Sequence, residues 1–530
     1  MESLKNDTNQ GLRRTVYFLL AVTALGSAVG RIMQVRASTG ETPMLSANDR
    51  SRWCTIAALV DKGTYAIDSL VEQRHAKTKR RHWYSIDMVR HRAADGKEHF
   101  YSSKPPLLPT LLAGEYWLIN KVLGVNIVDN PFYVMRAMLV FTNGLLVICY
   151  FWLMAGLIER LGISDWGRIM AFAIVTWGTF ITTYAVTLNN HLPAAVAVLV
   201  AVALVVKIER QADAQVWIYL ATGVAAGFAV ANELPALSFL ALLGAWIYRK
   251  SPSKTLAGYL PGCLLVAMAF FGTNYLAHGT WKPAYAHRHD GAVLLELEVG
   301  EAGSLKAGSL PAQLRARLRE SSVIISTDAT ISPTKTKNRW MLWDQENQQR
   351  LALVLRNNAI RVHSWGNWYE YPKSYWLDPQ GVDRGEPSRI VYAGHMLFGH
   401  HGVFTLTPVW LLSFVGAYLW LRSAPKEFWF WGAACLLLTA VCMAFYVARP
   451  LQDRNYGGVS CGFRWLIWLI PLWTITLLPA MDRVASKPVL RRLVYVALLV
   501  SVVSASYAAM NPWSHPWLFD FWTFLGWLPA

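Results

Sequence analysis

The chain has 530 residues; 54% are hydrophobic, only 16% are charged, and 25 Trp, 22 Tyr and 21 Phe are present. Soluble domains run near a quarter charged, so this composition excludes a disordered chain and an ordinary cytosolic enzyme. The net charge of +17 suggests nucleic acid in a soluble protein, but cytoplasmic loop ends and anionic lipid in a membrane protein.

A bilayer-spanning helix needs ~20 mostly apolar residues. Eleven stretches read this way: 15–33, 132–157, 169–188, 192–206, 216–232, 235–248, 255–276, 402–421, 427–447, 464–480 and 490–510. A further stretch, 106–123, opens with Pro-Pro and contains Glu115 and Lys121; it reads as a helix lying at the interface. The fold class expected is therefore an all-α polytopic membrane protein of about 11 transmembrane helices, with interfacial helices in the first outer loop. A small α+β outer domain is expected between spans 7 and 8. The chain divides on this reading into 1–276, 277–401 and 402–530.

Orientation follows from Lys and Arg in short loops. With the N-terminus inside, the cytoplasmic segments carry Arg13 and Arg14, Arg160 and Arg168, Lys207 and Arg210, Arg249 and Lys250, Arg422 and Lys426, and Arg483 and Lys487. The short outward turns 189–191 and 233–234 carry neither. The expectation is a multi-pass protein of the inner (plasma) membrane, N-terminus cytoplasmic and C-terminus outside. The first span has basic residues before it and no small-residue cleavage site after it, so it reads as a retained helix.

Two outward loops are long, 34–131 and 277–401. In the second, 339–344 and 351–365 read as strands around an Asn-Gln-Gln turn and 310–320 as an amphipathic helix. The cysteines show no zinc spacing; Cys54 and Cys461 lie in loops and read as two separate free thiols, with a disulfide as the alternative.

Ionisable groups at membrane depth are functional candidates, and five places stand out. Asn48-Asp49 precedes a helix-like run; a carboxylate at a helix N-terminus stays ionised and serves as general base, or it is a plain cap. Tyr101-Ser102-Ser103-Lys104-Pro105-Pro106-Leu107 aims one lysine at the interface, to hold phosphate or to snorkel. Asn189-Asn190-His191 and Glu233 sit in tight outward turns and are substrate contacts or turn residues. His400 and His401 pair without a third ligand, so structural or substrate-contact roles are preferred to metal binding. Asn455-Tyr456-Gly457-Gly458 leads to Gly462-Phe463-Arg464-Trp465, where Arg464 opens a span and can grip a phosphate through two parallel bonds. An acid, a lysine, an arginine and polar turns on one membrane face suit an anionic lipid-phosphate substrate.

The acid before an Ala-rich helix, the Lys-Pro-Pro-Leu run and the Gly-Phe-Arg-Trp run together resemble the GT-C superfamily of membrane glycosyltransferases. The likeness is to the bacterial branch similar to protein mannosyltransferases and aminoarabinose transferases, and is best over 1–280. That branch carries an acidic pair where this chain has Asn48-Asp49, so Asp49 takes the role by position, and Asp68, Asp87 and Asp95 of the same loop are alternatives. The resemblance implies inverting transfer of a sugar from a polyprenyl-phosphate donor to a lipid, glycan or protein acceptor on the outer face. Asp49 would be the base and Lys104 and Arg464 would bind the donor phosphate; Asn48, Tyr101, Asn190, His191, Glu233, His400, His401 and Tyr456 would be substrate contacts. It implies no cofactor and no catalytic metal. Membrane lipids are the surroundings, and the nucleic-acid reading of the charge is dropped. A transporter or lipid flippase is the alternative; such proteins place charge near mid-bilayer, whereas these spans are nearly free of it. A noncatalytic scaffold would leave the Lys-Pro-Pro run without a purpose.

Overall fold

The computed structural model describes residues 2–76, 78–298, 305, 307–334, 336–423 and 425–528; residues 299–304 of the second long loop lie outside it. Seven helices among the described residues are long and apolar enough to cross a membrane: Asn9–Gln34, Pro131–Leu161, His191–Arg210, Pro252–His278, Phe428–Ala448, Arg464–Val484 and Pro488–Tyr507. They coincide with seven of the eleven expected spans.

The other four are shorter or interrupted. Stretch 216–232 forms a helix of 17 residues, Val216–Asn232, and 235–248 one of 14 residues, Leu237–Lys250. Stretch 169–188 ends one helix at Trp177, with Gly178 capping it, and resumes as the single turn Ile181–Tyr184. Stretch 402–421 breaks at Thr407, which leaves the helical region at φ −133° and ψ 68°. The cause is Pro408, which lacks an N–H and pushes the residue before it toward extended backbone. By length and hydropathy, seven helices among the described residues qualify as spans, which meets the expectation of eleven in part. A helix forms over Leu107–Leu123, where an interfacial helix is expected.

The chain divides into two compact units: residues 1–49, 111–270 and 380–530 make the first, and residues 50–110 and 271–379 the second. The two long loops, 34–131 and 277–401, thus pool most of their residues in one unit.

The first unit is built from the apolar helices around a core rich in large side chains, with Trp410, Trp468 and Trp473 each no more than 2% exposed. Helices Leu411–Ser423 and Ile470–Val484 touch backbone to backbone at Gly416, where a Cβ would lie 1.8 Å from the Thr476 carbonyl oxygen. One end is tied by charge. Arg13 pairs with Glu159 at 2.8 Å and with Asp165 at 2.6 Å. Asp482 accepts from Ile163 N at 3.0 Å and Ser164 N at 2.8 Å.

The second unit holds a hairpin, Met88–Arg92 with Glu98–Ser102, and an antiparallel six-stranded sheet. Its strands run in the order Val293–Glu298, Ala359–Ser364, Gln349–Arg356, Arg339–Asp344, Thr330–Pro333, Gly308–Ser309. The helix expected at 310–320 forms over Ala312–Glu320 and buries Leu314 and Leu318 in the sheet's core. The strand expected at 351–365 is a correction: it is two strands, folded back at Asn357 and Asn358 with φ of 51° and 62°. Asparagine tolerates that left-handed backbone, which a tight hairpin turn requires. All six cysteines are free, Cys54 and Cys461 included.

Candidate active site

Arg464 opens the span Arg464–Val484 in a 3-10 turn and is 9% exposed. Its Nε donates to the Gly457 carbonyl at 3.0 Å and its Nη2 to the same oxygen at 2.7 Å. That oxygen is within reach because the backbone is left-handed over three residues, with φ of 57° at Tyr456, 90° at Gly457 and 76° at Gly458. A Cβ on Gly457 would lie 2.8 Å from Arg464 Nε, so only glycine leaves room. Left-handed non-glycine backbone costs of order 1–3 kcal/mol and concentrates at functional sites. The guanidinium also lies over the Trp513 ring, 4.6 Å from its centroid.

The third bond of Arg464 runs from Nη1 to His191 Nε2 at 2.6 Å. A guanidinium only donates, so His191 Nε2 is the acceptor and its proton sits on Nδ1. Nδ1–H then donates to Glu233 Oε1, which also accepts from Asn190 Nδ2 at 2.7 Å. His191 is 1% and Glu233 5% exposed. Arginine and carboxylate are thus coupled through a neutral imidazole. Asn189 orients that imidazole by accepting the N–H of His191 at 2.9 Å and of Leu192 at 3.0 Å, capping the helix that His191 begins. Of the five N–H groups of Arg464, three are used. One on Nη1 and one on Nη2 have no acceptor among the described residues, a fork suited to a phosphate.

Asp49 is 1% exposed in the first turn of the helix Ala47–Lys62. Ser46 and Asp49 form a reciprocal cap. Ser46 Oγ accepts from Asp49 N at 3.2 Å, and Asp49 Oδ1 accepts from Ser46 N at 2.9 Å. Asn48 joins the cap through its own N–H, which donates to Ser46 Oγ at 3.1 Å. Asp49 Oδ2 accepts from Leu45 N at 3.0 Å and from the Thr187 hydroxyl at 2.8 Å. Thr187 in turn accepts from the Trp513 indole at 3.4 Å. Asp49, Thr187, Trp513, Arg464, His191 and Glu233 therefore form one buried chain of contacts, which joins four of the expected residues through two that the sequence did not single out. Thr187 and Trp513 carry no local signal; both are reached only by long-range packing.

His400 and His401 lie in the same unit, in a separate cluster. Their Nδ1 atoms are 2.5 Å apart. His401 stacks on Tyr456 at 4.8 Å and His400 on His395 at 4.1 Å. Burial first, then the neighbouring His395, pushes His400 down to about 3, and burial holds His401 well below its ordinary value. Both rings are neutral packing elements against the residue that starts the left-handed run.

Lys104 and Tyr101 belong to the second unit. Lys104 Nζ pairs with Asp87 at 3.1 Å. Tyr101 is 6% exposed and stacks on His91 at 4.3 Å. Asp68 and Asp95 both bond to His99, at 3.2 and 2.9 Å.

No family model matches this sequence, and no curated protein matches it either. Among solved structures the chain is similar to the S. cerevisiae protein O-mannosyltransferase Pmt1-Pmt2 complex bound to the sugar donor. The identity is 11% and the TM-score 0.43, over 98% of this chain and 92% of that one. A likeness this loose leaves the function to be read from the residues.

Proposed function

We propose that the chain is an inverting membrane glycosyltransferase that moves a sugar from a polyprenyl-phosphate donor to an acceptor on the outer face. The observation that carries this reading is the buried Arg464 guanidinium. It is held on three sides, has no carboxylate bonded directly to it, and keeps one N–H on each terminal nitrogen uncommitted. Glu233 answers this buried cation only through the neutral His191 ring, and a donor phosphate is an anion that the two uncommitted N–H groups can bind directly.

Asp49 is the base in this reading. The acceptor hydroxyl takes the place of Thr187 at Oδ2 and gives its proton to the carboxylate. Its oxygen forms the new bond to the anomeric carbon, the bond from that carbon to the phosphate oxygen breaks, and the electron pair leaves with the polyprenyl phosphate. Arg464 meets the charge that develops there. The resemblance assigns Lys104 to the same phosphate, but Asp87 already answers part of its charge, so the reading rests on Arg464. No metal takes part. The basic residues of six short loops support a cytoplasmic N-terminus and chemistry on the opposite face. Arg464→Gln should weaken binding of a labelled polyprenyl phosphate by the purified protein at least tenfold; unchanged binding would remove Arg464 from the site.

A further inference from the structure

A groove of about 870 Å³ runs along the first unit between the spans Asn9–Gln34 and Pro131–Leu161. Leu25, Val29 and Met33 line it from one helix and Phe141, Leu145 and Ile148 from the other, each set following a helical stripe. None of its residues belongs to the Asp49–Arg464 chain of contacts. Its mouth is basic. Arg36 lies just past the end of the first helix and Arg136 in the opening turns of the second. Their guanidinium carbons sit 5.3 and 4.7 Å from the centroid of the same Phe132 ring.

Two cations within about 10 Å repel one another, and no carboxylate pairs with either among the described residues. Arg136 spends Nη2 on the Val35 carbonyl at 2.8 Å, while its buried Nε has no partner. Arg36 is exposed and donates to no described residue. An arginine pair held this way at the mouth of an apolar groove calls for an anion with a hydrocarbon tail.

We infer that this groove binds an anionic glycerophospholipid, with its phosphate between Arg36 and Arg136 and one acyl chain along the stripe. The length favours that occupant. From Arg136 to Ile148 a helix rises roughly 18 Å, close to half of the ~30 Å hydrocarbon core, which is the depth of one leaflet. A lipid here would fasten the first span to the second and remove the repulsion at their ends.

The test uses the full chain in detergent, with phosphatidylglycerol or phosphatidylcholine added at equal mole fraction. Phosphatidylglycerol should raise the thermal midpoint by several degrees and remain bound in native mass spectrometry, and phosphatidylcholine should do neither. Arg36→Gln should lose both effects while melting without lipid at or slightly above the wild-type midpoint, since its side chain donates to nothing in the fold and its charge repels Arg136. Equal stabilisation by both lipids, or full retention by Arg36→Gln, would overturn the inference. So would recovery of a polyprenyl phosphate as the retained lipid, which would make the groove part of the donor site. Glycosyl transfer enters none of these readouts.

Discussion

Arg464 and His191, 273 residues apart in the chain, meet at 2.6 Å with the arginine donating to Nε2. The direction of that bond fixes the imidazole's tautomer and passes the guanidinium's charge to Glu233 through one neutral ring. Removing one partner of a buried charge pair typically costs 3–5 kcal/mol. Glu233→Ala should therefore destabilise the purified protein by about 3 kcal/mol, read as a lowered thermal midpoint. Glu233→Gln also loses the charge but still accepts from His191 Nδ1, so it should cost less by about 1 kcal/mol. Equal losses would mean that the relay is not what holds the site.

Gly457 and Gly458 both have left-handed backbone, at φ 90° and 76°. Only a Cβ on Gly457 would crowd Arg464, at 2.8 Å; one on Gly458 would lie 3.6 Å from Asp383 Oδ1. Alanine at either position should cost stability to a similar degree. Gly457→Ala alone should raise the KM for donor about tenfold, equivalent to about 1.4 kcal/mol. Steady-state kinetics of the two variants separates backbone strain from displacement of the arginine.

His400 is neutral in the fold because burial pushes it down to about 3. The unfolded chain, with histidine near 6.5, binds the extra proton first. Stability is therefore complete above about pH 6.5 and falls as the pH drops from there toward 3. At pH 5 the loss from this residue alone is at most about 2 kcal/mol. A plot of stability against pH should slope upward over this range, and His400→Gln should make it shallower, with the remaining slope belonging to His401 and the other buried imidazoles. An unchanged slope in the variant would place the acid sensitivity elsewhere.

Much of this arrangement is legible in the sequence, and the reasons for the rest are local. Seven spans follow from uninterrupted apolar runs of sufficient length. Hydropathy alone overlooks that Pro408 and Gly178 break two more runs and that two others are too short. The helix over Ala47–Lys62 is readable from Asn48-Asp49 and the run that follows, but the sequence reading makes Asp49 the cap, whereas Ser46 takes that place and Asp49 bonds back to it from the first turn. The pairing of Arg464 with His191 is not, since periodicity says which face of a helix is apolar but not which distant helix meets it. The same holds for Thr187 and Trp513, which bridge Asp49 to Arg464 and look like ordinary core residues. Asn357-Asn358 carries a turn signal that the apolar residues on both sides of it mask.

The most direct measurement is transfer of a labelled sugar from a polyprenyl phosphate by the full chain in proteoliposomes, comparing wild type with Asp49→Asn. Asparagine keeps one oxygen to accept from Ser46 N but sets its NH2 toward Leu45 N, so the variant should stay folded, with its thermal midpoint reporting a cost of about 1–3 kcal/mol. Wild type should transfer the sugar with inversion, and the folded Asp49→Asn variant should be slower by at least a hundredfold, the range general-base catalysis supplies. Near-normal transfer by Asp49→Asn, or none by wild type with any polyprenyl-phosphate sugar, would contradict the account.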